Sequence, residues 1–270
     1  MKKARVVLIL SGIVLSLVPL LWFSSGYAIL GADLGWLGLD RTENFFEHLY
    51  TWKNTVAFGL DGSSLVAPTL TFNLFLYLTD LIGLSFIVAE KILFVGIMLL
   101  LNSAASFVVW QASVRERVGV RVVASVSAML FFTLNFFLGI LWHNLIIGLI
   151  IAIATSLLLL GIFIKATLNK DARFLPLVLS IGGISFLTSV FGMNPPAVIG
   201  IVMTPSILWV VIVTMTQFRD RALLKKIWSV AFAGLFVSLF LNMWWILPIS
   251  AQVFAFNVQP EFGVNLSYTL

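Results

Sequence analysis

The sequence predicts an all-α integral membrane protein of about seven transmembrane helices, with a long first outer loop that carries amphipathic and re-entrant helices. Three observations predict it. The chain of 270 residues is 61% hydrophobic and 10% charged, with a mean hydropathy of +1.10, more apolar than a soluble core requires. Its apolar residues come in runs near the roughly 20 needed to cross a bilayer. Thirteen of its sixteen Lys and Arg fall in four clusters: Lys2/Lys3/Arg5, Arg115/Arg117/Arg121, Lys165/Lys170/Arg173 and Arg219/Arg221/Lys225/Lys226. Basic residues flanking spans stay cytoplasmic, so an even number of spans separates each cluster from the next.

That parity rule orders the elements. The first run, about 6–24, follows a basic N-terminus and looks like a signal peptide. It continues to Phe23 through the aromatic Leu21-Trp22-Phe23, a poor cleavage context, and reads as an uncleaved anchor. Further spans are expected at about 91–112, 122–141, 145–164, 175–192, 197–216 and 227–248. The run at about 64–88 is different. Counting it as a span would leave twelve Lys and Arg outside and four inside; treating it as a re-entrant or surface helix pair gives thirteen inside and three outside. Asp80 points the same way, because an ionised Asp near the bilayer centre costs about 2.5–3.5 kcal/mol. The N-terminus is then cytoplasmic and the C-terminus extracytoplasmic, with the whole of 1–270 forming one domain of the cell membrane.

Composition excludes other classes. The pI of about 9.7 reflects basic inner loops rather than nucleic-acid binding. The chain has no Cys, hence no disulfide or thiolate metal site. The two His and the scattered acids lack metal-ligand spacing. No phosphate-binding or dinucleotide motif is present, and no internal repeat of the kind that marks many transporters.

Polar residues that are not cytoplasmic gather in the first outer loop, about 26–90. It opens with Gly31-Ala32-Asp33-Leu34-Gly35-Trp36. Asp40-Arg41-Thr42-Glu43 has the spacing of a capping box. Phe45, Leu49, Trp52 and Val56 then predict one amphipathic helix lying at the interface. A carboxylate held there suits transfer of a lipid-linked sugar: it takes a proton from the acceptor hydroxyl as the phosphate departs. A cation or backbone amides would offset the leaving phosphate, and Arg41 and Lys53 are the basic residues before Lys91. Within the spans, Asn102, Asn135 and Asn242 are expected to hydrogen-bond between helices.

Four stretches resemble the N-terminal membrane module of the type C glycosyltransferase superfamily, closest to its YfhO-like and mycobacterial arabinofuranosyltransferase-like members. These are Gly31-Ala32-Asp33 followed by Tyr50-Thr51-Trp52 and Phe58-Gly59; Asn135 with Trp142-His143-Asn144; Asn194-Pro195-Pro196; and Asn242-Met243-Trp244-Trp245-Ile246-Leu247-Pro248. The resemblance implies a glycosyltransferase that moves a sugar from a polyprenyl-phosphate donor to a glycan, lipid or protein acceptor of the cell envelope. It implies a catalytic Asp in the first outer loop, and Asp33 is the candidate; the alternative reading is a turn-forming Asp. Donor or acceptor contact falls to Asp40, Arg41, His48, Lys53 and His143, each of which also has a plain reading as cap, surface or interfacial residue. Some members of the superfamily use a carboxylate-bound divalent ion. Members usually continue with further spans, so this chain reads as the N-terminal module of a longer enzyme. A lipid or glycolipid transporter and a non-catalytic membrane subunit are the alternatives.

Overall fold

The computed structural model describes residues 2–23, 40–49, 52–53, 60–61, 63–143, 147–169, 171–191 and 195–258. They form a helical bundle. In chain order these are α1 (Lys2–Ser16), a 3-10 turn (Val18–Trp22), α2 (Arg41–Leu49), β1 (Trp52–Lys53), β2 (Leu60–Asp61), α3 (Ser63–Leu81), α4 (Phe86–Ala112), α5 (Val118–Leu134), α6 (Phe136–His143), α7 (Ile147–Leu168), α8 (Phe174–Phe191), α9 (Pro195–Thr216) and α10 (Arg221–Val258). Among the described residues, four helical segments are long and apolar enough to cross a membrane: Lys3–Trp22, Phe86–Ala112, Ile147–Leu168 and Arg221–Leu247. The bent pair α5–α6 makes a fifth, and α8 and α9 contribute shorter apolar segments, Phe174–Val190 and Val202–Thr216. Helix α7 is central. It packs against α4, α8, α9 and α10, and Ile150, Ala154, Leu159 and Phe163 along it are buried. The outer helices instead expose Phe232, Phe236 and Phe240, or Leu175 and Leu179, an apolar exterior suited to lipid rather than water.

Several boundaries differ from the sequence expectation. The predicted amphipathic helix through Trp52 stops at Leu49; Trp52 pairs instead with Asp61 in a short antiparallel ladder, and Val56 lies outside the described residues. The expected helix pair at 64–88 is one helix, α3, running unbroken past Pro68, followed by a turn and the start of α4. A Schellman motif ends α3: Gly83 N–H donates to the Asp80 carbonyl at 2.8 Å and Leu84 N–H to that of Thr79 at 2.9 Å. Gly83 has φ 75°, the left-handed region open to glycine. Ser85 then caps α4 by accepting from Val88 N–H, so α4 begins at Phe86 and not near Lys91.

Asn135 does not join two helices as expected. Its Oδ1 accepts from the backbone amides of Phe137 and Leu138 at 3.0 and 3.2 Å. It thereby caps α6 and breaks the predicted 122–141 helix into two parts inclined by 48°.

Asn102 and Asn242 do link helices. Asn102 Nδ2 donates to Ser16 on α1 at 3.3 Å, and its Oδ1 accepts from Thr133 on α5 at 3.1 Å. Asn242 Nδ2 donates to Ser185 on α8 at 3.1 Å, while its Oδ1 accepts from Trp245 Nε1 at 2.9 Å. The Asn102 network also aligns the helices: Ser16 lies eleven residues past Arg5, Asn102 thirteen before Arg115, and Thr133 twelve past Arg121. At 1.5 Å of rise per residue the first two basic clusters sit at one end. Gly161 of α7 packs on Phe107 of α4, carrying the third cluster to that end. Lys226 Nζ donates to the Asn169 carbonyl at 3.0 Å, which brings the fourth. The described residues of all four basic clusters therefore share one end of the bundle.

Candidate functional site

The opposite end holds the candidate site. Its floor is aromatic. Trp22 from the 3-10 turn, Phe94 from α4 and Trp142 from α6 meet with ring centroids 5.2 to 6.4 Å apart, and Phe23 adds to the cluster at 5.6 Å from Phe94. Each of these residues lies a full helix length from its basic cluster, so the rings collect where the spans end. Trp is favoured at such interfaces. Lys91, one turn before Phe94, places its ammonium 5.4 Å from the Phe23 ring centroid, a cation–π contact. Glu90 beside it is 2% exposed.

Helix α2 lies antiparallel along the C-terminal half of α3. Phe45 stacks on Tyr77 with centroids 4.6 Å apart, and Phe46 meets the same ring edge-on. The Arg41 guanidinium pairs with Asp80 Oδ1, and Thr42 Oγ1 donates to Asp80 Oδ2 at 3.0 Å. Dipoles explain why the pair matters. Arg41 opens α2 at its positive end and Asp80 closes α3 at its negative end, each the unfavourable sign for its own helix. Bringing the two ends together cancels both penalties. Arg41→Ala is therefore expected to destabilise the protein by about 1–3 kcal/mol, below the 3–5 of a fully buried pair because the Asp80 side chain is 37% exposed. Thermal unfolding in detergent checks it: the variant should melt lower than the Arg41→Ala/Asp80→Ala double variant, and equal melting would discount the pair.

Asp33 lies outside the described residues. Asp40 is exposed and caps α2, its Oδ1 accepting from Glu43 N–H at 2.8 Å. Arg41 is committed to Asp80. His48 lies on α2, Lys53 on β1, and His143 closes α6; their side chains lie outside the described residues.

Sequence reasoning missed Asn73. This α3 residue is 1% exposed, and neither amide atom has a hydrogen-bond partner, although buried polar side chains ordinarily find one. The signal was there, an amide in an otherwise apolar run. Trp142 Nε1 is likewise buried without a partner. Among the described residues, no group of three or more His, Asp or Glu could hold a metal ion, so they offer no donor set for the divalent ion that some members of the superfamily use. No protein-family model, curated protein or solved structure matches this chain.

Proposed function

We propose that this chain is a membrane glycosyltransferase that moves a sugar from a polyprenyl-phosphate donor to an acceptor hydroxyl on the extracytoplasmic side. The carrying observation is the polarity of the bundle: four basic clusters at one end, and at the other an aromatic floor whose Phe94 and Trp142 share a buried cluster with Phe72 of α3, the helix that ends in the Asp80 carboxylate. With the basic end cytoplasmic, seven traverses follow: α1 with its 3-10 turn, α4, α5–α6, α7, α8, α9 and α10. Helix α3 rests on the outer face. Were it a span, the antiparallel α2 would carry Glu43 toward hydrocarbon, where a charge at the bilayer centre costs about 2.5–3.5 kcal/mol.

In this reading a lipid phosphate arrives at the aromatic belt. Asp33 takes the proton of the acceptor hydroxyl as that oxygen bonds to the anomeric carbon and the bond to phosphate breaks. Arg41 is held by Asp80, which leaves Lys91 and Lys53 as the cations to offset the phosphate. Coupled transport draws less support. Asn102 and Asn242, two of the amides buried in the bundle, are taken up by hydrogen bonds between helices, whereas transporters usually place ionisable groups at mid-membrane.

The chain has no Cys, so a single introduced Cys reports its own side of the membrane. Glu43→Cys should react with an impermeant maleimide in right-side-out vesicles, and Arg117→Cys in inverted ones. The reverse pattern would remove the site from the outer face. Purified chain given radiolabelled polyprenyl-phosphate sugar and membrane acceptors should release the lipid phosphate and label an acceptor; no turnover across sugar types would sink the activity.

A further inference from the structure

A cleft of about 320 Å³ opens at the basic end between α7 and α8, lined by Lys165, Asn169, Asp171 and Arg173 at its mouth and by Ile162 and Leu177 deeper in. The volume falls within the range of ligand sites, about 300–1,000 Å³. We propose that it binds the headgroup of an anionic phospholipid.

Three features carry this. First, the cleft is amphipathic along its depth. Ile162 and Leu177 are buried at 7% and 3% exposure, while Asp171 and Arg173 are exposed, so a polar head meets charge and the first methylenes meet apolar walls. Second, the charge balance is positive. Lys165 and Arg173 oppose the single Asp171, and Lys226 from α10 reinforces the rim by donating to the Asn169 carbonyl at 3.0 Å. The α8 N-terminus, beginning at Phe174, adds its partial positive charge. Third, the exit is apolar. Leu175 and Leu179 of α8, next in sequence to the lining residues Pro176 and Ser180, are 62% and 56% exposed, an apolar surface beside the cleft against which acyl chains can run. A free anion would use the charge but not these walls.

The proposal holds whichever reaction the opposite end performs, and its test does not read activity. The full chain is purified in detergent and its retention of phosphatidylglycerol is compared with that of phosphatidylcholine by native mass spectrometry. Retention should favour phosphatidylglycerol. Lys165→Gln/Arg173→Gln should cut that preference by about fivefold for each charge removed, and Lys165→Arg/Arg173→Lys should keep it. Arg115→Gln/Arg117→Gln removes equal charge from the same end away from the cleft, and should leave the preference in place. Equal losses in the two neutral pairs would overturn the site in favour of a general charge field. Displacement of the lipid by millimolar inorganic phosphate would overturn the lipid as occupant in favour of a free anion.

Discussion

Asp33→Asn is expected to slow sugar transfer by a factor of about 10²–10⁴, the contribution of a positioned general base, with no fall in melting temperature. The substitution separates the two readings of this residue. As a turn former, Asp acts through its short polar side chain and its tolerance of left-handed backbone, and Asn does both equally well. As a base it must accept a proton, which the amide cannot do. A turn residue would therefore survive the change and a base would not. Asp40→Asn is the matching control: Asp40 caps α2 through Oδ1, Asn caps as well as Asp, and transfer should be unchanged. Wild-type rates in Asp33→Asn would leave the mechanism without its base; equal losses in both variants would point to the fold of the loop instead.

The parts of the fold that follow local rules were legible. Charge parity anticipated that the basic clusters share an end, because that bias acts residue by residue on short loops. Asp40 at the start of α2 and the bridging amides Asn102 and Asn242 were legible for a similar reason: each expresses a preference of its own side chain. What depends on a distant partner was not. Phe45, Leu49, Trp52 and Val56 keep a helical period, yet α2 ends at Leu49, where its stacking on Tyr77 gives way to the β1–β2 pairing. Arg41 looked available for a phosphate because its partner, Asp80, is 39 residues away. Asn135 has the same composition and setting as Asn102, but its Oδ1 turns back to its own backbone. In the candidate site the Asp40 cap came from sequence, whereas the aromatic floor emerges from packing between residues distant in the chain.

The largest stability loss is expected at the α8–α10 contact, in the double variant Gly182→Ala/Gly234→Ala. The two helices clasp reciprocally. A methyl on Gly182 would meet Val237 Cγ1 at 2.5 Å, and one on Gly234 would meet Ile181 Cδ1 at 2.8 Å, Cγ2 at 2.9 Å and Cβ at 3.1 Å. Both partners are β-branched, and in a helix such side chains hold one strongly preferred χ1 rotamer, so neither can swing aside; the helices must separate. Overpacking of this kind costs about 1–3 kcal/mol per site, against roughly 1 kcal/mol recovered for each Gly→Ala change in helix propensity. The sites share one interface and will not add simply, which gives a net loss of up to about 4 kcal/mol. Separation would also strain the Asn242–Ser185 hydrogen bond across the same two helices. Gly183→Ala is the internal control. Its added methyl meets nothing within 4 Å, so it should hold or raise the melting temperature. Truncating the knobs with Ile181→Ala and Val237→Ala in the double-Ala background should recover part of the loss, because the new methyls then occupy the vacated space. A double variant that melts with Gly183→Ala would mean that α8 and α10 are not clasped through these glycines.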